Sequence, residues 1–489
     1  MAADADVRVL IGLDAETGKF VPQLATEWKV EGDQAIRFKL RKGVQFHNGN
    51  GEFTAKDVVH SWKDLVRDDA TAGYQVVLGK KAIEDVEIVN DYEVLVKIKQ
   101  KDADLINMIS QAQGGFEIMS KADWDKRGDP TLTDAPIAGT GPYQFVSRTQ
   151  GVNVVYQRVP YTHWRINPEF QEFEFRWMPE ASTRLAALYA GEIHVTTLPD
   201  DLLPQAEQRG FKIVRGKVPA LRVFLNFKCC FLTWPEHRVS DGTYKYPDSP
   251  LMELRVRKAL NKAIDRDALN KAFFGGKGEL IYGFNHVSSA FPGFNPAWKE
   301  RFPSEYGYDV SAARQLLADA GHGPSNPLKT SLWINPPSSV ASAQDMLEAT
   351  AGYWRAVGVD VESVQMDSTR RQQLNTQCAF GNDLDLTTTS GAPIVAYGFY
   401  NSSFIGNCGG YQHPDTDASF RKIQQELDTE KHADYWRELG DRSFDLHSNI
   451  PLFWLPAEAV IAPSVVSDYP WPASISGTWT HVENLKAAR

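Results

Sequence analysis

The 489-residue chain contains no uninterrupted apolar run of the roughly 18 to 20 residues that a membrane-spanning helix needs. Its opening, MAADADVRV, lacks the basic and apolar regions of a secretory signal. Like charges never run to five in a row, and 52 basic against 62 acidic residues leave a formal charge of -10. That balance argues against nucleic acid as a partner. Cysteine is scarce: four residues, at 229, 230, 378 and 408, show no C-x-x-C spacing for zinc or thiol redox chemistry. Three pairings are open, and a bridge between Cys378 and Cys408, or none, is expected because adjacent cysteines make a poor disulfide. A G-x-S-x-G elbow, an H-E-x-x-H helix and a Walker A loop are all missing, so no motif marks a catalytic serine, a zinc site or a nucleotide phosphate.

What is present suits a large folded chain, 42% hydrophobic and 23% charged, with about three domains expected at this length. The densest signals lie between Val21 and Val66. Ile36, Phe38 and Leu40 alternate with Arg37 and Lys39, the period of a half-buried strand, after a turn at Glu31-Gly32-Asp33. Thr54-Ala55-Lys56-Asp57 has capping-box spacing, and Val58, Val59, Trp62, Leu65 and Val66 follow on one helical face. In this order, Leu24-Ala25-Thr26-Glu27-Trp28, Phe38 to Gly49 and Thr54 to Val58 resemble the LAxxW, FxLRxGVxFHxG and TAxDV segments of one family. It is the bacterial extracellular solute-binding proteins of family 5, the peptide- and nickel-type receptors of ABC importers. The similarity continues through the GTGPY segment at 137–143, through Pro160 to Trp164, and through LRVRKALNKAIDRDAL from Leu254. GTGPY does not read as a phosphate cradle, since it lacks the Lys-Ser/Thr of a P-loop and Pro142 removes an amide donor.

Further along, residues 82–99 read as a hairpin around Asn90-Asp91. Residues 182–191 read as a short helix, with His194 beyond it a structural residue and no ligand. Val223 to Phe227 reads as a crossing strand. In LRVRKALNKAIDRDAL, Val256, Ala259, Leu260, Ala263 and Ile264 share an inward face, which sends Arg255, Arg257, Lys258 and Lys262 to water. The aromatic, glycine and proline-rich segment 282–308 reads as an irregular loop, and Ser311 as the cap of a helix ending at Gly321. A strand to Trp333, a helix over 340–356 and a strand at VGVDVESVQM form an α/β unit. LDLTTTSGAP is a strand and turn, His413-Pro414 starts the first of two helices, and IPLFWLPAEAVI is the last strand.

The resemblance implies an α/β, two-lobed periplasmic-binding-protein-like fold of the large cluster with an extra domain, its lobes joined by crossing strands. Its parts are 1–137 (small extra lobe), 138–225 (main lobe, first part), 226–455 (second ligand-binding lobe) and 456–489 (return to the main lobe). The family's signal peptide and the first strand of the main lobe are expected to be missing ahead of this start. Implied too is a monomeric receptor, periplasmic or cell-surface anchored, that holds a small solute in an interlobe cleft, closes by hinge motion and serves permease subunits. It needs neither catalysis nor a cofactor.

By position in the family's pattern the pocket draws on Tyr74, Asn226, Trp333, Asn335, Thr388, Ser390, Gly391 and Trp454. Peptide-binding members place an aspartate after the SGAP turn, whereas Ser390 to Val395 holds no acid. An ammonium buried without an anion is costly, so free-amine peptides are disfavoured unless Asp367 or another carboxylate substitutes. Oligosaccharides stacking on tryptophan gain ground, and nickel complexes stay open because S-G-A-P resembles the nickel-type wording. The rivals are a secreted hydrolase using Asp383 and Asp385, which share a strand face, and a ligand-sensing domain.

Overall fold

The computed structural model describes the chain except residues 1–8, 15–18, 33, 69–78, 81, 100–101, 104, 112–115, 129–135, 234–241, 285, 290, 292, 336–339, 341, 390–392, 402–407, 427 and 471–480. It divides into two compact units, Met1–Val218 with Ala457–Arg489, and Pro219–Pro456.

In unit 1, β1 (Ala25–Glu31) and β2 (Ala35–Leu40) form a hairpin, with Gly32 at φ +60° in its turn. After α1 (Ala55–Leu65), β3 (Ile83–Asn90) and β4 (Glu93–Ile98) complete an antiparallel sheet in the order β1–β2–β4–β3. Ile36, Phe38, Leu40, Val94 and Val96 bury one face of this sheet in a core shared with Val58 and Trp62 of α1. The start of α1 explains why an aspartate fits where glutamate is usual. Asp57 Oδ2 accepts the Thr54 amide at 2.9 Å, and Asp57 Oδ1 accepts the Lys121 amide at 2.9 Å. Each oxygen has its own donor, so the shorter side chain caps the helix and fastens a distant loop.

Next come the antiparallel strands β5 (Tyr143–Thr149), β6 (Asn153–Arg158) and β7 (Glu172–Arg176). The predicted short helix is α2 (Ala181–Ala190), ended by Gly191 at φ +72°, a conformation that suits glycine. The short β8 (Val195–Thr196) pairs with residues near the end of β14 (Asn449–Ile461), defined with unit 2 below. Two strands pass from one unit to the other: β9 (Lys212–Lys228) and β14.

Unit 2 carries α3 (Leu254–Lys262), α4 (Arg266–Phe274), β10 (Glu279–Leu280), α5 (Pro296–Tyr306), α6 (Val310–Asp319), β11 (Lys329–Ile334) and α7 (Ala343–Ala356). β12 (Asp360–Gln365), α8 (Ser368–Gln377), β13 (Asp383–Thr389), α9 (Pro393–Tyr400), α10 (Pro414–Gln425) and α11 (Thr429–Asp445) lead into β14. As expected, His413 caps α10, its ring Nδ1 accepting the Asp415 amide at 3.2 Å. Trp298 of α5 is fully buried against Gly440 of α11 and donates through Nε1 to Asp441 Oδ1 at 2.7 Å.

The structure corrects several expectations here. LRVRKALNKAIDRDAL is two helices, because Asp265 caps a second one by accepting the Ala268 amide at 2.9 Å. Arg257 does not face water; it is buried and donates to the carbonyls of Leu251 (2.8 Å), Met252 (2.7 Å) and Leu446 (3.0 Å). Those carbonyls would otherwise be buried acceptors with unmet demand. Segment 282–308 contains α5, started by Asn295, which accepts the Ala297 amide at 3.1 Å, and by Pro296 in the first turn. The cap of α6 is Asp309, not Ser311, since Asp309 accepts the Ala312 amide at 2.9 Å. Cys378 and Cys408 are bridged, and so are Cys229 and Cys230, whose pairing had been disfavoured. The vicinal pair is fully buried where the chain leaves β9, which brings its sulfurs together in a setting without solvent. Among the described residues, no helix is long and apolar enough to cross a membrane.

Candidate functional site

The sheet of unit 2 has the order β14–β9–β13–β11–β12. β11 runs parallel to both β12 and β13, and β9 runs antiparallel to β13, with Asn226 opposite Asp385 and Phe224 opposite Thr387. Alternate residues of a strand point to opposite faces. Val223, Leu225, Phe227, Leu332, Ile334, Leu384 and Leu386 therefore fall on one face, in the main apolar core with α3 and α7. The opposite face receives Arg222, Asn226 and Lys228 from β9, Trp333 from β11, and Asp383, Asp385 and Thr387 from β13. This polar face is the candidate site. It abuts the C-terminal ends of β11 and β13, the edge at which parallel sheets in α/β folds meet ligands.

Lys228 is fully buried. Its Nζ donates to Asn375 Oδ1 at 3.0 Å and to the carbonyls of Cys408 (3.3 Å) and Gly409. It lies 3.6 Å from Asp385 Oδ2, with the rings of Phe380 and Trp333 beside it at 5.3 and 5.8 Å. Burial pulls its pKa down to about 8, although Asp385 opposes the shift. Arg371 grips the same Asp385 oxygen through Nε and Nη2, at 2.9 and 2.7 Å. Asp385 Oδ1 has no hydrogen-bond partner among the described residues. Burial raises the pKa of Asp383, against the Trp333 indole that donates to it at 3.1 Å.

Of the residues expected to bind ligand, Asn226 is fully buried and donates through Nδ2 to Thr387 Oγ1 at 2.8 Å. Trp333 shares its face and meets Phe380 edge-on at 5.1 Å. Asn335 follows β11, and its Nδ2 is buried without an acceptor among the described residues. Thr388 is paired with Val223 and so lies on the other, apolar face. Trp454 belongs to β14, opposite Glu279 of β10, with the Arg222 guanidinium 5.3 Å from its ring centre. Tyr74, Ser390 and Gly391 lie outside the described residues.

Arg222 was missed in the sequence, together with the roles of Lys228 and Arg371. It is buried at the end of β9 nearest the unit boundary, and its Nη1 reaches the His286 carbonyl at 3.4 Å. Burial and the neighbouring Arg222 charge hold the His286 pKa well below the usual range, so its Nε2 donates to Asn401 Oδ1 at 2.8 Å as a neutral ring. A period-two reading of Arg222, Phe224, Asn226 and Lys228 against Val223, Leu225 and Phe227 would have found this face.

A second arrangement explains two of the sequence motifs together. In unit 1, His47 of the FHNG turn donates through Nε2 to the Gly141 carbonyl at 2.8 Å, and His163 of the THW turn donates to the Thr140 carbonyl at 3.0 Å. The His47 amide adds a bond to the Gly139 carbonyl at 3.0 Å. The GTGPY backbone thus points its acceptors at two imidazoles and offers nothing of a phosphate nest.

The chain is 27% identical over 369 residues to a probable di/tripeptide-binding protein 5 of Pseudomonas aeruginosa, covering 71% of this chain and 64% of that protein. It is 26% identical over 380 residues to the dipeptide-binding protein of Escherichia coli, covering 73% and 65%. This chain thus spans just under two-thirds of the length of either relative. Among solved structures it is similar to NikA from Brucella suis in complex with Fe(III)-EDTA, with a TM-score of 0.78 at 20% identity, covering 99% of this chain and 94% of that one. The fold is therefore that of the two-lobed periplasmic binding proteins. Residues 19–411 match the model described as bacterial extracellular solute-binding proteins, family 5 Middle, and the chain belongs to that family.

Proposed function

We propose that the chain is the solute receptor of an ABC importer, working outside the cytoplasm as a monomer that captures a small solute and passes it to permease subunits. The observation that carries this reading is the family match across residues 19–411. The polar face of unit 2, with Asn226, Trp333 and Asn335 beside Arg222 and Trp454, contributes to the site. No chemistry is performed on the solute. A hydrolase would need Asp383 and Asp385 as acid and base on a common substrate. Asp385 is instead buried and held by Lys228 and Arg371, and Asp383 is engaged by Trp333.

A thermal-shift screen tests the proposal against dipeptides, oligopeptides, oligosaccharides and nickel with histidine. A ligand of the folded state at a hundred times its dissociation constant adds about 2.7 kcal/mol of stability. One class of solute should raise the midpoint without being turned over. A well-folded protein that no class stabilises, or a solute consumed on mixing, would count against the receptor reading.

A further inference from the structure

We infer that the solute carries a carboxylate, and that Arg222 is the residue that recognises it; the inference rests on the receptor reading above. The first ground is charge. Arg222, Lys228 and Arg371 stand on or against the polar face of the sheet, and the acids there are Asp383 and Asp385. Asp385 is committed to Lys228 and Arg371. Arg222 lies four residues up β9 from Asn226, the partner of Asp385, roughly 13 Å along a strand, so its counter-charge has to come from elsewhere. The chain near Arg222 does not supply one. Its register partner, Thr389, opens a stretch without aspartate or glutamate from Ser390 to Pro414, and the chain around His286 has none from Leu280 to Lys299. A buried cation needs an anion or dense hydrogen bonding to offset desolvation, and a solute carboxylate provides both.

The second ground is hydrogen-bond chemistry. Asn335, at the C-terminal end of the parallel strand β11, presents a buried Nδ2 donor with no acceptor among the described residues. The edge is thus rich in donors. A carboxylate is acceptor-only and takes up to about four hydrogen bonds, whereas an ammonium would meet the guanidinium as a like charge. Trp454 lies 5.3 Å from the guanidinium, which supports its plane by cation–π contact. A supported fork suits two parallel bonds to a carboxylate in a way that a lysine cannot.

The test uses matched pairs that differ only in the acid: Met-Leu and Met-Leu amide, glucuronate and glucose, nickel with histidine and nickel with histidinamide. Affinities are measured calorimetrically on the unmodified chain, on Arg222→Gln and on Arg222→Lys. At least one acid should bind, its neutral partner at least tenfold more weakly. Arg222→Gln should bring the two within about twofold of each other, and Arg222→Lys should keep part of the preference. Equal binding of acid and neutral partner, or a preference that survives Arg222→Gln, overturns the inference and leaves the receptor reading standing. Binding of no member of any pair overturns both. Should Arg222→Gln not fold, the acid and amide comparison on the unmodified chain decides alone.

Discussion

Lys228→Met probes the buried charges of unit 2 through their response to pH. The ammonium is fully buried, and burial lowers its pKa from 10.5 to about 8 despite Asp385 at 3.6 Å. The unfolded chain keeps this proton up to its ordinary value. Between pH 8 and 10.5 the unfolded state therefore binds more protons than the folded one, and the stability of the unmodified chain rises with pH. A gap of about 2.5 pH units, at about 1.4 kcal/mol each, makes this gain about 3 kcal/mol. At pH 7 the substitution has opposed effects, since it removes the desolvated charge but strips a donor from Asn375 and from the Cys408 and Gly409 carbonyls. The slope, not the offset, carries the test. Urea unfolding followed by tryptophan fluorescence at several pH values from 7 to 10.5 reads it, because groups elsewhere titrate in both proteins and cancel. The difference between the proteins should move by about 3 kcal/mol in favour of the unmodified chain as pH rises. Parallel pH profiles would refute the reasoning.

Two further perturbations have expected outcomes. Gly440→Ala should destabilise by about 1–3 kcal/mol through overpacking, since a Cβ there would stand 2.1 Å from the Trp298 ring; Gly352→Ala on α7, with nothing within 4 Å, should instead gain up to about 1 kcal/mol. Thermal unfolding of both distinguishes them, and equal shifts would contradict the packing described. Changing both Cys378 and Cys408 to Ser should cost about 3–4 kcal/mol, because that bridge closes a 30-residue separation, while the same change at Cys229 and Cys230 releases almost no loop entropy. Chemical denaturation of the two double variants checks the contrast, and equal losses would reject it.

Local signals made much of the fold legible. The hairpins β1–β2 and β3–β4, the cap of α1 and the succession β11–α7–β12 each depend on periodicity and turns within a few residues. Arg257 was misread because helical period assigns it to solvent, and nothing nearby in sequence announces the Leu446 carbonyl that it meets. α5 was hidden by the glycines and prolines around it, although Asn295-Pro296 carried its start. The polar face was half legible. Its members on β9 follow from alternation alone, but the meeting of Lys228, Arg371 and Asp385 depends on the register between β9 and β13, which no local pattern records.

The single strand β9 feeds two cores: Val214 lies in an apolar cluster of unit 1, while Val223, Leu225 and Phe227 lie in the main core of unit 2. One alternating backbone thus sets which side chains turn inward at both ends. Point substitutions along it act where they fall. Deleting or inserting one residue between Arg215 and Arg222 is different, for it would invert every later side chain, sending Lys228 and Asn226 toward the apolar core and Phe227 away from it. This stretch should therefore accept changes of residue during evolution while almost never changing length.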